Sequence, residues 1–361
     1  MKSKIFLILM CALLIVLTAT TFTFFGCKTA GEVASEVEET VEEVMEETTA
    51  SVAKTDEETS VPVAEEKLTF GLTNPSTYEW YTNCAQGFQD YCSENNIEVV
   101  YMQTQEAQNA LEQVDHVDQM IASDLDAVGI IVSDGDVLVS AAEACHDAGI
   151  PVGTPGAEIN IPKFSEKDVD VRIVGGNYQP GYNLGKYMGD VLGGEGNVVI
   201  IFGIPGIGVA IDRDKGVTDG LAEFPGIKIL DDQPGNWDPE KSYNVMSDFL
   251  TKYDKIDAVF GGFDGGAMAA YQAAEAVGRE TEMKFFGFDG QVAAFEAIAK
   301  NEMQATVDMN SYNLGYLLAR DLHRAVTYPK FQKTYLEVNY KVVTRDNLLE
   351  YAPEYKDKFV E

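Results

Sequence analysis

Two charged residues, Asp289 and Arg213, follow apolar stretches of the sequence, and both carry side chains suited to binding polar groups. Asp289 ends the segment Gly-Phe-Asp at 287–289, directly after an apolar run typical of a buried strand. A carboxylate there can accept two hydroxyl hydrogens at once, through charge-assisted hydrogen bonds worth roughly 1.5–3 kcal/mol each. Arg213 follows the apolar run 198–202 and a glycine-rich loop, and its planar guanidinium can donate to hydroxyl, ring or carboxylate oxygens. The alternatives are that Asp289 only caps the next helix and that Arg213 forms a surface ion pair with a neighbouring aspartate.

Aromatic residues recur in the loops that follow predicted strands. Trp80 and Tyr81 come just after the first strand of the chain, and Trp237 and Phe263 follow two later strands. Aromatic faces placed in this way can sandwich the apolar face of a flat ligand, such as a sugar ring. Each of these residues alone would be read as part of a core, but their position in equivalent loops favours a binding site.

The elements that must position these residues alternate between short apolar strands and amphipathic helices. The alternation runs twice, in one series up to residue 174 and a second series after it. Such alternation predicts α/β architecture with two doubly wound parallel sheets, and ligands bind beyond the carboxyl ends of strands in sheets of this kind. The predicted strands are 68–72, 97–102, 127–132, 150–153, 171–174, 198–202, 227–230, 258–260 and 285–288, and the predicted helices are 81–95, 107–122, 137–148, 182–192, 239–252, 267–277 and 292–299.

Enzyme motifs are missing from this pattern. The sequence has no Gly-x-Ser-x-Gly elbow, and His116, His146 and His323 have no nucleophile or metal partner close in sequence. The loop 203–208 is rich in glycine, but it lacks the dinucleotide spacing and the lysine of a phosphate-binding loop, so we interpret it as a tight strand-to-helix turn. We therefore predict a protein that is not an enzyme and that uses no cofactor and no metal.

The amino-acid composition argues against several classes of binding partner. The 361 residues suffice for two domains, and the formal net charge of −33 argues against binding to nucleic acid or to anionic lipid. The five cysteines fit no zinc motif. Cys84 and Cys92 fall about 12 Å apart on a predicted helix, which is too far for a disulfide. We predict that Cys84, Cys92 and Cys145 pack in the core.

The N-terminus has the pattern of an export signal at 1–26. Lys2 and Lys4 precede an almost wholly apolar run, 5–25, and a small residue then precedes Cys27. This arrangement resembles a bacterial lipoprotein signal, in which that cysteine becomes the lipidated N-terminus. The alternative is an uncleaved membrane anchor, since about 20 apolar residues can span a bilayer. Both interpretations place the body of the protein outside the cytoplasm.

An acidic spacer separates Cys27 from the body. Residues 28–66 hold twelve Glu and one Asp against two Lys, so about a third of the net negative charge lies here. Valines at helical spacing allow a short acidic helix. High charge and a lack of aromatic residues favour a flexible, self-repelling tether over 27–66 instead.

Over nearly all of 67–343 the sequence resembles the ribose- and galactose-type (type I) periplasmic substrate-binding proteins of ABC transporters. The motifs that carry this resemblance occur in the family's order and spacing. They are Ala-Gly-Ile-Pro-Val at 148–152, Arg213-x-x-Gly-Val, Phe-Pro-Gly-Ile at 224–227, Ala-Val-Phe at 258–260 before Asp264, Gly-Phe-Asp-Gly at 287–290, and Ala-Thr-Val-Asp at 305–308 before Tyr312-x-x-Gly.

The resemblance implies two lobes, joined by a hinge of three strands, that close over one ligand. It places 67–176 and 310–336 in the N-terminal lobe, and 177–309 and 337–361 in the C-terminal lobe. It also implies a sugar-like ligand, a membrane permease as the protein partner, and a monomer.

The family pattern assigns roles to individual residues of this chain. Trp80 and Tyr81 match the aromatic pair that stacks on the sugar, Arg213 the arginine on its oxygens, Trp237 the aromatic of the second lobe, and Asp289 the hydroxyl-binding aspartate. The full predicted ligand-binding set is Trp80, Tyr81, Arg213, Trp237, Phe263, Asp264, Asp289, Met309 and Asn310.

Three departures from the family pattern bear on the ligand. Phe263 stands where the family has an asparagine, Met309 where it has a glutamine, and the run 154–158 is Thr-Pro-Gly-Ala-Glu where Asp-Arg is common. A pocket with aromatic walls and fewer polar side chains favours a ligand that is bulkier or less hydroxylated than a simple hexose. A nucleoside or a furanose-like signalling molecule is the alternative to a monosaccharide, and a chemosensory module is the alternative to an uptake receptor.

Overall fold

The computed structural model describes residues 67–358. The predicted signal at 1–26, the lipidated Cys27 and the tether lie outside the described residues. Within 67–358, every helix is too short or too polar to cross a bilayer. Nor do three or more His, Cys, Asp or Glu side chains of this part of the chain form a group that could hold a metal ion.

Twelve strands and ten α-helices make up the described chain. The strands are β1 (Thr69–Asn74), β2 (Glu98–Gln103), β3 (Ala127–Ile130), β4 (Val152–Gly156), β5 (Val171–Val174), β6 (Glu195–Phe202), β7 (Gly226–Pro234), β8 (Ala258–Gly261), β9 (Lys284–Phe286), β10 (Ala305–Asp308), β11 (Thr334–Glu337) and β12 (Lys341–Thr344). The helices are α1 (Glu79–Glu94), α2 (Ala110–Ala122), α3 (Val139–Ala148), α4 (Tyr178–Val191), α5 (Gly208–Leu221), α6 (Pro239–Lys252), α7 (Asp264–Glu275), α8 (Val292–Ala299), α9 (Ser311–Thr327) and α10 (Leu348–Tyr351).

The strands form two sheets of six, one for each lobe. The first sheet has the order β2-β1-β3-β4-β5-β11, and all of its neighbouring strands are parallel. The second sheet has the order β7-β6-β8-β9-β10-β12, and only its edge strand β12 runs antiparallel. The predicted fold of two doubly wound parallel sheets is confirmed.

The chain passes between the lobes three times. It leaves the first sheet after β5, returns after β10, and passes to the second sheet again between β11 and β12. Glu337 pairs with Val174 in the first sheet, whereas the sequence analysis assigned it to the segment that begins the last stretch of the second lobe. The first two of these passages also carry residues of the site described below.

Side-chain alternation along buried strands gives each sheet two apolar faces. On β6, Val199 and Ile201 belong to one core cluster, while Val198 and Ile200 belong to another on the opposite face. Helices α6, α7 and α8 cover the first face, and α4 and α5 cover the second. A strand covered on both faces is apolar at every position, which explains the continuous Val-Val-Ile-Ile run at 198–201.

Several predicted boundaries shift in the structure. The helix predicted at 267–277 begins at Asp264, and the strand predicted at 227–230 continues to Pro234. The residues around Arg213, to which the sequence analysis assigned no element, form α5. These shifts matter because they set where the side chains that follow β7 and β8 emerge.

Helix α9 packs so closely against α1 that the backbones of the two helices touch, and glycines make this possible. A Cβ at Gly315 would overlap the carbonyl oxygen of Cys84, and a Cβ at Gly87 would overlap the carbonyl oxygen of Tyr312. Helices α4 and α5 of the second lobe repeat the arrangement, with Gly185 lying against the carbonyl of Val217. Each crossover helix is thus fixed closely against the helix that follows the first strand of its lobe.

Replacing Gly315 by alanine tests this packing. Because the new methyl group meets backbone, which cannot rotate away, we expect Gly315→Ala to lower the free energy of unfolding by about 1–3 kcal/mol. The control is Gly208→Ala, whose methyl group would have no heavy atom within 4 Å and which should leave stability unchanged or slightly raised. Urea titration followed by circular dichroism measures both variants, and equal stability of Gly315→Ala and the wild type would contradict this packing.

Candidate functional site

A cavity of about 930 Å³ lies between the two lobes, at the carboxyl ends of their strands. Its lining combines loops from both sheets, as the sequence analysis expected of an open α/β fold. Seven of the nine predicted ligand-binding residues line it, namely Trp80, Tyr81, Arg213, Trp237, Phe263, Asp289 and Met309. The structure therefore brings the predicted aromatic side chains, the guanidinium and the carboxylate to one cleft.

The charged centre of the cleft is an ion pair between Arg213 and Asp289. Nη1 of Arg213 lies 3.0 Å from Oδ1 of Asp289, and the two side chains are only 7% and 8% exposed. The guanidinium also donates to the carbonyl oxygen of Gly262 over 2.6 Å and, from Nη2, to Oδ1 of Asn177 over 3.1 Å. Below it, the ring of Phe288 lies 3.8 Å from the guanidinium carbon. A buried arginine is costly unless its donors have partners, and four of the five N–H donors of Arg213 have partners in the protein.

Asp289 owes its position to an unusual turn after β9. Its φ of 117° lies in a region that residues other than glycine rarely adopt, and the next residue, Gly290, has a φ of 75°. The backbone N–H of Asp289 donates to the carbonyl oxygen of Val307 over 2.8 Å, so the turn is tied to β10. A side chain at position 290 would collide with Asp308. The glycine of the Gly-Phe-Asp-Gly motif is therefore required by the turn that presents the carboxylate.

Asp264 does not line the cavity, although the sequence analysis placed it in the ligand-binding set. Its carboxylate is fully buried and accepts hydrogen bonds from Thr306 Oγ1 over 2.6 Å and from the backbone N–H of Gln291 over 2.8 Å. Those partners flank the turn that carries Asp289. Asp264 thus lies beneath the site and holds this turn in place.

Asn310 is the second predicted residue that lies outside the cavity. It is exposed, adopts a left-handed conformation with φ 51°, and stands at the N-cap of α9. Its backbone N–H donates to Oδ1 of Asp308 over 2.7 Å. The side chain before it, Met309, is the one that faces the cleft.

Burial changes the acidity of the carboxyl groups around the site. Desolvation raises the pKa of Asp264 well above its usual value, and the charge of Asp289 raises it further. Desolvation also raises the pKa of Asp289, but the neighbouring Arg213 cation opposes this effect. Burial raises the pKa of Asp308 to about 6. Arg213 and the hydroxyl group of Tyr78 thus both lower the pKa of Asp289 and favour its ionised form inside the cleft.

Two residues that contact the charged pair, Tyr78 and Asn177, are not in the predicted ligand-binding set. Tyr78 donates its hydroxyl hydrogen to Oδ2 of Asp289 over 3.1 Å, and burial raises the pKa of that hydroxyl well above its usual value. Asn177, on the first passage between the lobes, accepts from Arg213. Tyr78 lies one helical turn before the predicted Tyr81, so extending the predicted aromatic loop by three residues would have found it. Asn177 carried no comparable signal.

Both tryptophans of the chain rest on glycines. Trp80 packs on Gly156 and Trp237 packs on Gly203, and in each case a Cβ on the glycine would meet the indole ring. Trp237 and the residue before it, Asn236, share a left-handed conformation with φ 56°. This turn directs the indole over the start of the loop after β6, where it meets Phe263 edge-on at 5.7 Å.

The two lobes touch beside the cavity. Glu79 Oε1, at the start of α1 in the first lobe, accepts the backbone N–H of Val292, the first residue of α8 in the second lobe, over 3.0 Å. The ring of Tyr78 meets Phe263 at 5.9 Å across the same boundary. These contacts, together with the bond from Tyr78 to Asp289, join the lobes around the cleft.

Two of the three histidines and the three cysteines of residues 67–358 take structural places. His116 Nδ1 lies 3.1 Å from the hydroxyl of Thr73, and His323 Nδ1 lies 3.0 Å from that of Tyr91. Cys84, Cys92 and Cys145 are all buried, so the prediction that they pack in the core is confirmed. Burial raises the pKa of the Cys92 and Cys145 thiols to about 12, which keeps them protonated and unreactive at neutral pH.

Two α/β lobes, three connections and a cleft with a charged floor define a two-lobed solute-binding protein. Residues 70–330 match the family of periplasmic binding protein domains, and the chain belongs to this family. The resemblance stated from the sequence motifs is thereby confirmed.

Known proteins similar to this chain carry the names of binding proteins. The chain is 29% identical over 243 residues to the xylitol-binding protein of Mycolicibacterium smegmatis, covering 65% of this chain and 66% of that protein. It is 29% identical over 233 residues to the D-ribose/D-allose-binding protein of Pseudomonas aeruginosa, covering 64% of this chain and 73% of that protein. The matched regions thus span about two thirds to three quarters of the length of these relatives.

A solved structure supports the same fold. The periplasmic solute-binding protein of an ABC transporter from Actinobacillus succinogenes, with bound D-allose, matches with a TM-score of 0.75. It is 24% identical in sequence, and the match covers 79% of this chain and 100% of that one. At this identity the likeness concerns the fold alone.

Replacing Gly203 by alanine tests whether the indole of Trp237 packs on Gly203. The added methyl group would displace the indole, so we expect altered tryptophan emission and near-ultraviolet circular dichroism. The chain has two tryptophans, so a Trp80→Phe background isolates the signal of Trp237. Gly208→Ala in the same background is the control, because its methyl group would enter open space at the start of α5, directly after the same loop. Unchanged spectra for Gly203→Ala would show that Trp237 does not rest on this glycine.

Proposed function

We propose that this protein captures a small polyhydroxylated ligand, of the sugar or polyol class, in the cleft between its lobes and delivers it to the membrane permease of an ABC transporter. The observation that carries the proposal is the buried pair of Arg213 and Asp289 on the floor of a cavity with aromatic walls. The names of the xylitol- and D-ribose/D-allose-binding relatives support the same ligand class.

The floor of the cleft offers both polarities of hydrogen bond to a ligand. Each carboxylate oxygen of Asp289 accepts one bond from the protein, from Arg213 or from Tyr78, and has a second lone pair for a ligand hydroxyl. The Arg213 guanidinium makes four of its five possible hydrogen bonds to the protein, so one Nη2 hydrogen is left as the complementary donor. Hydroxyl groups donate and accept at once, so a polyol can satisfy both side chains without bringing a charge into the cleft.

The aromatic walls supply the apolar part of recognition. Trp80 and Tyr81 stand on the first lobe, and Trp237 and Phe263 stand on the second. Indole and phenyl rings pack well against the C–H face of a sugar ring, and they lose little conformational entropy on binding because glycines and neighbouring rings already hold them. The proposed ligand-binding residues are therefore these four, with Arg213, Asp289, Met309, Tyr78 and Asn177.

Delivery to a permease requires export, and the N-terminal sequence supports it. The segment 1–26 has the pattern of a signal peptide, and Cys27 stands at the position of a lipidated cysteine. We propose that the protein is anchored to the membrane by lipid on Cys27 and that the acidic segment after it gives the body its reach. The lobe assignment of 67–176 with 310–336, and of 177–309 with the residues that follow β11, belongs to the same proposal.

Substitution of the charged pair tests the ligand site. Saturating ligand at 100 times its dissociation constant adds about 2.7 kcal/mol of stability, so a thermal-shift screen over sugars, polyols and nucleosides identifies ligands directly. We expect Asp289→Asn and Arg213→Lys each to weaken binding of the best ligand at least about 100-fold, because each change leaves a desolvated partner group unpaired.

The matched control for these variants is Asn310→Gly. Asn310 is exposed and lies outside the cavity, and glycine accepts its left-handed backbone, so binding should stay within about twofold of the wild type. Circular dichroism confirms that each variant is folded before titration. Full binding by both Asp289→Asn and Arg213→Lys would place the ligand elsewhere and refute the proposed site.

Closure of the lobes is tested at Glu79, which joins the lobes without lining the cavity. Its carboxylate caps α8 across the lobe boundary, a contact worth about 1 kcal/mol. The ligand binds the closed form, so its affinity falls when the closed form becomes less stable. We therefore expect Glu79→Ala to weaken ligand binding about fivefold. Small-angle scattering should also show a smaller share of compact molecules in the absence of ligand.

Glu112→Ala is the matched control for closure. Its carboxylate accepts a backbone N–H too, but that donor, Gln105, lies within the first lobe. This variant should change affinity and radius of gyration little. Equal effects of Glu79→Ala and Glu112→Ala on affinity would contradict a role for Glu79 in closure.

A further inference from the structure

The cavity has two chemically different ends. At one end, Arg213, Asp289, Tyr78 and Asn177 form the polar floor described above. At the other end the lining comes from the loops after β6 and β7 and from the starts of the helices that follow them, and it includes Asn236, Asp238 and Lys241. The six other residues named here are aliphatic: Ile204, Pro205, Ile207, Val209, Pro234 and Pro239.

The order of the strands sets the distance between these ends. Asp289 follows β9, Ile204 follows β6 and Pro234 ends β7, and the sheet order is β9-β8-β6-β7. Neighbouring strands lie about 4.8 Å apart, so the lining spans roughly 14 Å along the sheet. A single sugar ring covers only part of that length.

The two ends nevertheless adjoin each other. Val209 stands one helical turn before Arg213 on α5, about 6 Å along the helix axis, and both side chains line the cavity. Trp237 lies between the ends, because its indole rests on Gly203 at the foot of the β6 loop and stands 5.3 Å from the guanidinium of Arg213. A ligand anchored on the polar floor would therefore extend past Trp237 into the aliphatic end.

The aliphatic end is built to take an uncharged group. Ile204, Ile207 and Val209 are each only partly buried by the protein itself. The two ionisable residues there, Asp238 and Lys241, also line the cavity. The carboxylate of Asp238 caps α6 through the backbone N–H groups of Glu240 and Lys241, and Lys241 is exposed to solvent. The volume of about 930 Å³ is near the upper end of the roughly 300–1,000 Å³ typical of sites for drug-sized ligands.

We infer that the physiological ligand is a sugar carrying a flat, largely apolar substituent, such as an aryl glycoside or a nucleoside, rather than a free monosaccharide. The inference rests on the proposed function, because it assigns the hydroxylated ring to the floor of Arg213 and Asp289. The substituent occupies the aliphatic end formed by the β6 and β7 loops, which we call the annex, with Trp237 packed against it.

Matched pairs of ligands test the annex. Isothermal titration calorimetry compares D-glucose with phenyl β-D-glucopyranoside, D-galactose with phenyl β-D-galactopyranoside, and D-ribose with adenosine. Because the substituent removes apolar surface from water, we expect the substituted member of at least one pair to bind about tenfold or more tightly than its parent sugar. The phenyl and adenosine arms distinguish an aryl glycoside from a nucleoside.

Substitutions in the annex test whether the substituent of the ligand binds there. In the double variant Ile204→Asn with Ile207→Asn, the ratio of the two dissociation constants should fall from about ten to about one. The control is Ile211→Asn on α5, the helix that follows the loop of Ile204 and Ile207, since Ile211 is 52% exposed and lies outside the cavity lining. That variant should keep the wild-type ratio.

The outcomes separate this inference from the proposed function. If parent sugars bind and no substituted member binds more tightly, the annex inference is wrong and the proposed function stands. If the substituted ligand keeps its advantage in the double variant, the substituent lies elsewhere and the inference is again wrong. If no member of any pair binds to the folded wild-type protein, the polyol-binding function itself is refuted, and the inference with it.

Discussion

The requirement that a buried guanidinium and a buried carboxylate have well-placed partners organises this structure. Removing charged groups from water costs several kcal/mol for each ion unless their partners are well placed, so the surroundings of Arg213 and Asp289 must be built with precision. The turn after β9 presents the carboxylate, and Asp264 and Gly290 hold that turn. The first passage between the lobes supplies Asn177, and the first lobe supplies the hydroxyl of Tyr78. A buried ion pair is poor evidence for stability, since well-packed apolar residues often serve as well, and this is why we connect the pair with ligand recognition.

A second constraint is the space that rings and helices need. Trp80 and Trp237 reach the cleft because Gly156 and Gly203 leave room for their indoles, and the crossover helices approach their neighbours at glycines. The absence of a Cβ at glycine therefore allows close helix packing at the helix pairs, and it shapes the cleft at the two tryptophans. With its walls formed by rings and its buried ion pair at one end, the cleft distinguishes the two parts of a ligand by where they fit.

Much of the fold could be predicted from the local hydrophobic pattern of the sequence. The differences between the predicted and the observed site residues have identifiable physical causes. Apolar runs separated by amphipathic segments predicted both sheets, because strands covered on two faces must be apolar throughout. Asp264 was assigned to the ligand from its place after β8, but its helix begins at that residue and directs the carboxylate beneath the neighbouring turn. Asn310 and Met309 are adjacent, and the left-handed backbone at Asn310 turns its side chain to solvent while Met309 faces the cleft. Tyr78 escaped notice because its significance depends on Asp289, a residue 211 positions away that belongs to the other lobe.

The sequence by itself determined the two parallel sheets, the strand-end loops that carry the site, and the residue types available there, because these depend on periodicity and on local turn chemistry. It also carried the family motifs that indicated a binding protein. Only the tertiary structure decided which of those side chains meet, since the pairing of Arg213 with Asp289 and Asn177 joins segments that are distant along the chain. The tertiary structure likewise decided that aliphatic residues of the β6 and β7 loops extend the cleft. That result depends on β6 and β7 lying side by side in the sheet, which no local pattern specifies.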